Sequence, residues 1–341
     1  MRRESKRRPR MCAAAALLAA VFAGLWSPDV VAQPVMKIGF GTINDVQHEY
    51  VKQLAAEMEK RAPGSLKIEI YPADQLGAAP RLIEGLGLGT VEGFVAPPEF
   101  FVGVDPRFQI MGAPGLVKDI EHGQRLLEDA SFRKALLSYG DTKGIKSFGA
   151  FVYGPNLYAT RTPVRTISDF KGLKLRVFGS PMHTLAMERL GASGVPMPPA
   201  DALVAIGSGA IDGNRTGMSV LISFKYNDIV KSATIVEGDA MVFSLFAIGK
   251  AWFEKLSKGT QDALVASAKA AEQNVASVSI TNHKRGEELW KERGGELIRF
   301  SGTDQTEFVK RMLTVGPEVV SKNPRIKDDY ALMLNRAEAT R

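Results

Sequence analysis

The sequence of 341 residues has very little cysteine and histidine: one cysteine, Cys12, and four histidines. A single cysteine excludes an internal disulfide and a metal site built from cysteines. The histidines stand at positions 48, 122, 183 and 283, without the spacing of a metal motif. We therefore expect no metal, no cofactor and no disulfide scaffold.

Long apolar runs are also missing after the N-terminus. The first ten residues contain six Lys or Arg against one Glu, and an apolar run follows from Met11 to Trp26. This run is shorter than the ~20 residues that a membrane-spanning helix needs. Small residues follow at Val30-Val31-Ala32, as in a secretory signal peptide. We predict that residues 1–32 are removed and that the protein is periplasmic; a retained N-terminal anchor is the alternative.

The sequence also lacks a large excess of charge of one sign, and it lacks catalytic motifs. Without residues 1–32 the chain has 38 Lys and Arg against 35 Asp and Glu, a net charge of +3. A nearly neutral chain lacks the electrostatic footprint of a nucleic-acid-binding protein. The sequence has no Gly-x-Ser-x-Gly nucleophile motif and no phosphate loop. We predict that the protein is not an enzyme; turnover of a bound ligand would favour the alternative, an enzyme on the same fold.

Apolar periodicity predicts many alternating strands and helices. The predicted strands cover 36–41, 66–71, 90–96, 145–151, 157–160, 174–178, 195–197, 232–237, 241–248 and 296–300. The first predicted helix begins after an N-cap at Asp45 and ends before Pro63-Gly64. The others cover 79–88, 120–143 in two pieces, 181–190, 199–206 and 260–293, with further helices at the C-terminus. This order favours an α/β fold with a largely parallel sheet. Ligands of such sheets bind beyond the carboxyl ends of strands, here at 42–48 and 97–101.

Two stretches are expected to join the parts of the molecule. The chain is long enough for two lobes, and we expect it to cross between them at the strands on either side of a turn at Gly154-Pro155-Asn156. The helix predicted over 260–293 would be roughly 50 Å long at 1.5 Å per residue. A helix of that length would brace both lobes; the alternative is two helices that break near Ser277 or Thr281.

The candidate binding residue lies in the strand predicted from Lys174 to Phe178. Alternation places Arg176 on the face opposite Leu175 and Val177, and on the same face as Phe178. A guanidinium group in a cleft offers two parallel donors to a carboxylate. The alternative is an arginine on the strand surface that pairs with a glutamate.

The order of several segments resembles the solute-binding proteins of tripartite ATP-independent periplasmic (TRAP) transporters. The segments are HEYVKQLAAEMEKRAPGSLKIEIYPADQLG, RLIEGLGLGTVEGFV, DFKGLKLRV and GAIDG, and the resemblance covers nearly all of residues 35–335. It implies a two-lobed, periplasmic-binding-protein-like α/β fold with a ligand cleft between the lobes and a long bracing helix. One lobe would comprise 33–153 and about 242–281, and the other 154–241 and about 282–341.

The resemblance also implies roles for single residues. The carboxylate-binding arginine of the family falls on Arg176, and Thr216 stands where many members have a polar residue that helps to hold the carboxylate. Many members read Gln-Glu-Asn-Pro after the Asp-Gly, whereas this chain reads Asn214-Arg215-Thr216-Gly217, so Arg215 is an additional cation. The inter-lobe stretch 153–158 has no second arginine. Together with Phe178, this favours a monocarboxylate with an aromatic or branched body.

We therefore predict a receptor that binds a small organic acid and delivers it to a TRAP membrane permease. The expected ligand contacts are Arg176, Phe178, Thr216, Asn214, Arg215, Asn156 and His48. The alternatives are an ion pair for Arg215, turn roles for the two asparagines and Thr216, and a helix cap for His48. The expected state is a monomer, and a ligand-sensing module of a membrane kinase is the other interpretation of the same cleft.

Overall fold

Ten strands and twelve α-helices alternate within residues 33–341, the part of the chain that the computed structural model describes. The predicted signal peptide and Cys12 lie outside the described residues. The strands are β1 Val35–Gly39, β2 Lys67–Tyr71, β3 Gly93–Ala96, β4 Ile145–Thr160, β5 Lys174–Val177, β6 Ser193–Pro196, β7 Gly213–Gly217, β8 Ser232–Ile235, β9 Met241–Gly249 and β10 Glu296–Arg299.

The helices agree with the predicted segments, except for two short helices at 218–223 and 250–253 that were not predicted. The helices are α1 Val46–Arg61, α2 Ala79–Leu88, α3 Ile120–Glu128, α4 Ala130–Ser138, α5 Pro181–Arg189, α6 Pro199–Gly207, α7 Met218–Ser223, α8 Lys250–Phe253, α9 Lys258–Glu292, α10 Gly302–Met312, α11 Val315–Lys322 and α12 Lys327–Ala339. The predicted N-cap of α1 is confirmed, because the Asp45 carboxylate accepts a hydrogen bond from the His48 backbone N–H at 3.1 Å. Such a bond satisfies a donor that the first helical turn leaves free.

The sheet is mixed, which corrects the expectation of a largely parallel one. Its strand order is β2-β1-β3-β9-β4-β7-β5-β6, with β8 between β4 and β10. The pairs β1–β2, β1–β3, β5–β6, β5–β7 and β8–β10 are parallel. β9 runs antiparallel between β3 and β4, and β4 is antiparallel to β7 and β8. The antiparallel pairs arise because β4 and β9 carry the chain between the two ends of the sheet in opposite directions.

The predicted turn at Gly154-Pro155-Asn156 is wrong, because β4 is one continuous strand through this region. A register shift between Val152 and Gly154 absorbs the irregularity, and Gly154 takes a φ of +152° that other residues rarely adopt. β4 pairs with β9 as far as Pro155, and with β7 from Asn156 onward. We call the part of the sheet from β2 to the start of β4 the first half, and the part from the end of β4 to β6, with β8 and β10, the second half. Each half of the molecule includes the loops and short helices that directly follow its strands.

The long helix is unbroken, which excludes the alternative of two helices. Ser257 caps its start by accepting a hydrogen bond from the Thr260 N–H at 3.1 Å. α9 packs against α1 and β4, and farther along against α7 and β10. The buried Glu272 of α9 accepts the Ala150 N–H of β4 at 2.7 Å and an Arg133 donor at 2.9 Å. α9 therefore braces both halves of the sheet, as predicted.

Residues Val35–Arg341 form one compact unit, so the residue boundaries of the two lobes stay a prediction. Its interior is divided among three apolar clusters. The first lies between the first half of the sheet and helices α1 and α9. The second contains residues of β4, α6 and α7. The third and largest contains residues of both halves. Among the described residues, no helix combines the length and apolar character needed to cross a bilayer.

Candidate functional site

Arg176, Asn214 and Thr216 share one face of the second half of the sheet. β5 and β7 are parallel neighbours in which Arg176 stands opposite Asn214. Opposed residues of a sheet point to the same face, as do residues two apart along a strand. Thr216 therefore joins this face, and all three side chains are fully buried. Two segments 38 residues apart in sequence thus supply one polar group of side chains.

The Arg176 guanidinium is held in place by neutral partners. Its Nε donates to the Met197 carbonyl at 2.7 Å, and its Nη1 lies 3.5 Å from the Asn214 Oδ1. The guanidinium carbon Cζ lies 4.5 Å from the centre of the Phe178 ring, which is a cation–π contact. Burial lowers the pKa of Arg176 to about 10, against weaker effects of Tyr226 and Glu99 that raise it. The group therefore stays charged at neutral pH.

This buried cation lacks a counter-charge among residues 33–341. Arg176 forms no ion pair there, and its Nη2 has no hydrogen-bond partner. The Asn214 Nδ2 and the Thr216 hydroxyl are likewise without partners in the described chain. Burying an unpaired charge and unpaired donors costs several kcal/mol in general, roughly 1–3 for each neutral group. The arrangement can bind an anion that accepts hydrogen bonds from all three.

Arg215 points to the opposite face of the sheet, where Tyr158 of β4 is its register partner. Its Nε donates to the Asp239 Oδ2 at 3.0 Å, and its Nη2 donates to the Asp239 Oδ1. Its Nη1 donates to the His183 Nδ1. Burial lowers the pKa of Arg215, but the attraction of Asp239 and Tyr158 outweighs it and raises this pKa above the usual range. Arg215 is thus a buried, compensated cation.

A hydrogen-bonded chain continues from Arg215 to the first half of the molecule. Because arginine only donates, the His183 Nδ1 must accept and the proton must lie on Nε2. This Nε2 lies 3.3 Å from the Glu99 Oε1, so it donates to that carboxyl group. Burial and the neighbouring arginines Arg215 and Arg176 hold the pKa of His183 well below its usual range. The imidazole is therefore neutral.

Glu99 is the acidic end of this series of hydrogen bonds. It lies in the turn Pro98–Phe101 that follows β3, and its side chain is 1% exposed. Burial raises the pKa of Glu99 to about 7, although its own backbone N–H, Arg215 and Arg176 act to lower it. Sequence reasoning did not connect Glu99 with His183, since the two are 84 residues apart and match no motif.

An apolar cavity lies beside Arg176, and Phe178 contacts both the cavity and the Arg176 guanidinium. The cavity encloses about 550 Å³ of empty space, including its open mouth. Both segments expected beyond strand ends contribute to its wall, with Thr42 and Gln47 from one and Pro97 and Phe100 from the other. Arg176 itself is not part of the lining, because Phe178 presents its ring there.

The two remaining predicted contacts have local roles in this structure. The His48 Nδ1 accepts the Asn44 N–H at 3.1 Å, so its ring supports the turn that precedes α1. The Asn156 Nδ2 donates to the Ala240 carbonyl at 2.8 Å, whereas its Oδ1 is buried without a partner among the described residues. Neither residue lines the cavity. Within residues 33–341, no three acidic, histidine or cysteine side chains are placed to hold a metal ion.

Sequence comparison gives a family match over most of the chain. The profile of the family described as bacterial extracellular solute-binding protein, family 7, matches residues 40–323. A 2,3-diketo-L-gulonate-binding periplasmic protein of Escherichia coli is 30% identical over 275 residues, covering 80% of this chain and 83% of the relative. A sialic acid-binding periplasmic protein of Vibrio cholerae is 26% identical over 242 residues, covering 68% of this chain and 73% of the relative.

Solved structures share the fold. A TRAP periplasmic solute-binding protein from Desulfovibrio salexigens with bound orotic acid superposes with a TM-score of 0.85 at 22% identity, over 91% of this chain and 100% of that one. A sugar acid-binding protein from Advenella mimigardefordensis in complex with galactonate gives a TM-score of 0.84 at 21% identity, over 91% and 99%. The predicted two-lobed α/β fold is confirmed.

Proposed function

This chain belongs to family 7 of the bacterial extracellular solute-binding proteins, the receptors of TRAP transporters, and we propose that it binds its organic acid through Arg176. The receptor takes up a small carboxylate in the cleft and delivers it to a TRAP membrane permease. Members of the family are binding proteins rather than enzymes. Periplasmic location agrees with the basic and apolar N-terminal sequence, which is typical of a signal peptide.

The observation that carries the proposal is the uncompensated charge of Arg176. Its guanidinium is fully buried, makes no ion pair within residues 33–341 and keeps a free Nη2. An anion bound there replaces an electrostatic cost by a charge-assisted contact of about 1.5–3 kcal/mol. Thr216 and the Asn214 amide add two donors on the same face. Three free donors, one of them on the cation itself, are suited to the two oxygens of a carboxylate.

Phe178 has a second role in this proposal. Its ring supports the guanidinium at 4.5 Å and forms part of the cavity wall. The carboxylate would bind at Arg176 while the ligand body lies in the cavity. Arg215, in contrast, holds Asp239 and His183 and acts on the site by positioning them. Asn156 would contact the ligand through its free Oδ1. His48 would act indirectly, by supporting the turn at Asn44.

We expect the two halves of the molecule to close on the ligand through direct contacts between them. The Ile43 N–H, after β1, donates to the Ser223 Oγ of α7 at 3.0 Å. His183 of α5 donates to Glu99, after β3. A ligand that contacts both halves stabilises the closed form by its extra affinity for that form. The permease would then receive the closed, loaded receptor.

The test is a binding screen on residues 33–341, which contain the whole compact unit. Orotate, galactonate, glucuronate, succinate and benzoate would be tested by thermal shift and then by calorimetry. A ligand at 100 times its dissociation constant adds about 2.7 kcal/mol of stability. We expect at least one acid to stabilise the protein and to bind in a 1:1 ratio.

The matched variants are Arg176→Met and Arg165→Met. Methionine keeps most of the side-chain volume but removes the charge, and Arg165 is an exposed arginine paired with Glu296. Binding should disappear in Arg176→Met and persist in Arg165→Met. Equal binding by both variants would place the carboxylate site elsewhere.

A further inference from the structure

The polar side chains that line the cavity differ in how fully the protein uses them. The Thr42 hydroxyl donates to the Gln47 Oε1 at 3.1 Å, and the Gln47 Nε2 donates to the Ser244 Oγ at 2.9 Å. The Tyr153 hydroxyl donates to the Asp45 Oδ2 at 2.6 Å. Asp74 is different, since its carboxylate makes no hydrogen bond or ion pair within residues 33–341. The rest of the lining is almost entirely apolar.

A strained turn presents Asp74 to the cavity. Ala73 and Asp74 both have left-handed backbone conformations, with φ of 54° and 56°. The turn is tied to the loop after β1, because the Ala73 N–H donates to the Thr42 carbonyl at 3.2 Å and the Asp74 N–H donates to the Phe40 carbonyl at 3.1 Å. Strain of this kind persists only where neighbouring residues impose it. The backbone of Asp74 is therefore held in place by its neighbours.

A second acidic side chain approaches from the other half of the molecule. Pro198 and Pro199 line the cavity, and Asp201 follows them in the first turn of α6. Burial, and then the charge of Asp201, raise the pKa of Asp74 above its usual range. The cavity thus has Asp74 in its lining and the Arg176 cation behind its Phe178 wall, whereas Asp201 is exposed and lies outside the lining. A ligand that spans it meets charges of opposite sign at its two ends.

We propose that Asp74 is a specificity-determining residue that accepts a hydrogen bond from the end of the ligand remote from its carboxylate. The ligand is then a monocarboxylic acid with an apolar body and a remote hydroxyl or ammonium group. A second carboxylate is rejected, because it would lie among apolar side chains and face Asp74. This inference rests on the proposed function and names the substrate class of the same site.

The physical basis is the cost of an unmatched group in a poorly solvated cavity. The partly buried carboxylate of Asp74 gains a charge-assisted hydrogen bond from a donor, whereas two carboxylates at close range repel each other. Sites built to hydrogen-bond one group discriminate strongly against analogues that lack it. The apolar wall formed by Phe94, Val95, Phe100, Val220 and Val242 offers no partners for the several hydroxyls of a sugar acid.

The experiment uses two series of acids that differ only at the remote end. One is benzoate, 4-hydroxybenzoate, 4-(aminomethyl)benzoate and terephthalate. The other is hexanoate, 6-hydroxyhexanoate, 6-aminohexanoate and adipate. We expect the hydroxyl or the ammonium member of at least one series to bind about 10-fold tighter than its parent, and the diacid to bind weakest. The two donors distinguish a neutral from a cationic ligand end.

Asp74→Asn is the informative variant, because asparagine adopts left-handed conformations readily and keeps the shape of the side chain. It should remove most of the advantage of the cationic member and improve binding of the diacid. Asp262→Asn, on the exposed surface of α9, is the control and should change neither. Circular dichroism and thermal unfolding would confirm that both variants fold.

The outcomes separate this inference from the proposed function. A diacid that binds wild-type protein as tightly as its parent, through Arg176, would overturn the role of Asp74 and leave the receptor intact. The role of Asp74 is overturned in the same way if neither series binds while galactonate, succinate or orotate binds through Arg176. Loss of Arg176 dependence for every acid would overturn the proposed function itself.

Discussion

Arg176 and Arg215 are buried arginines on opposite faces of the same sheet, on neighbouring strands. Arg176 is the register partner of Asn214, so the next residue along β7, Arg215, turns its side chain to the other side. Asp239 neutralises Arg215, whereas no acidic side chain of the described chain pairs with Arg176. The two cations are alike in residue type and burial but differ in their charge environment. Arg215 is part of the protein's own charge network, whereas Arg176 has no counter-charge within residues 33–341.

Removing Arg215 should destabilise the fold. Arg215→Met leaves the Asp239 carboxylate buried without its partner, and breaking a buried ion pair from one side costs about 3–5 kcal/mol. Urea unfolding of the variant should show a loss of this size. The double variant Arg215→Met with Asp239→Asn removes both charges and should recover much of the stability. Equal loss in both variants would contradict the assignment of Arg215 to a buried pair.

Arg176→Met should have the opposite profile. The substitution removes a buried cation that has no counter-charge in residues 33–341, so the unfolding free energy should stay the same or rise. Ligand binding should be lost, because the carboxylate loses its cationic partner. A loss of more than about 3 kcal/mol in the absence of ligand, the size expected for a broken buried pair, would show that Arg176 has an internal counter-charge.

Glu99 should make stability depend on pH between its ordinary and its folded pKa. The pKa of Glu99 rises from 4.5 to about 7 on folding. Between these values the folded protein keeps a proton that the unfolded chain has lost, so stability falls as pH rises. The fall amounts to about 3 kcal/mol at 1.36 kcal/mol per unit and levels off above the folded pKa.

The measurement is the difference in unfolding free energy between wild type and Glu99→Gln from pH 4 to 8. Glutamine cannot ionise and keeps an acceptor for His183, so the difference isolates Glu99 from other titrating groups. Wild type should lose stability relative to the variant as pH rises toward 7. Parallel curves would mean that Glu99 is solvated or already paired.

Gly213, the last residue of the Gly-Ala-Ile-Asp-Gly motif, should not tolerate a side chain. A Cβ there would lie 2.4 Å from the Ala159 carbonyl oxygen of β4. Gly213→Ala should therefore cost about 1–3 kcal/mol, as overpacking usually does. Gly87 in α2 has open space around it, so Gly87→Ala should stabilise by about 0.5–1 kcal/mol through helix propensity. Chemical denaturation of both variants tests the contrast.

Ser223 should contribute to closure rather than to folding. Ser223→Ala removes the acceptor of the Ile43 N–H, a hydrogen bond of about 0.5–1.5 kcal/mol. Ligand affinity should fall by about 2- to 10-fold, and small-angle scattering should show a smaller ligand-induced compaction. Ser208→Ala, which removes a bond within the C-terminal turn of α6, is the control. Unchanged affinity in Ser223→Ala would mean that this contact does not distinguish open from closed forms.

Much of the architecture could be predicted because it depends on local pattern. α2 spans the predicted residues 79–88, and the predicted cap at Asp45 is confirmed. These features follow from apolar spacing and from short-range hydrogen bonds. The continuous β4 could not be predicted, since Gly154 and Pro155 favour a turn locally and only pairing with β9 keeps the strand extended.

The site divides in the same way. Strand alternation at Lys174–Val177 placed Arg176 on the polar side, and family resemblance associated it with Thr216. Neither could show that Arg215, two residues after Gly213, faces away from Arg176, because the face depends on the register of β7 against β5. The same holds for Glu99 and His183, which lie 84 residues apart in sequence and meet only where the two halves of the molecule touch.

The sequence by itself determined the α/β class, the family, the long helix and the candidate carboxylate-binding arginine. Each of these depends on a pattern of residues that lie close together along the chain. Tertiary structure alone decided which buried charges are compensated. That outcome depends on distances between residues far apart in sequence. Arg215 reaches Asp239, Arg176 has no carboxylate within ion-pair distance in residues 33–341, and Asp74 is fixed at the cavity wall. These placements, and not residue type, support the proposal that Arg176 rather than Arg215 binds the carboxylate of the ligand.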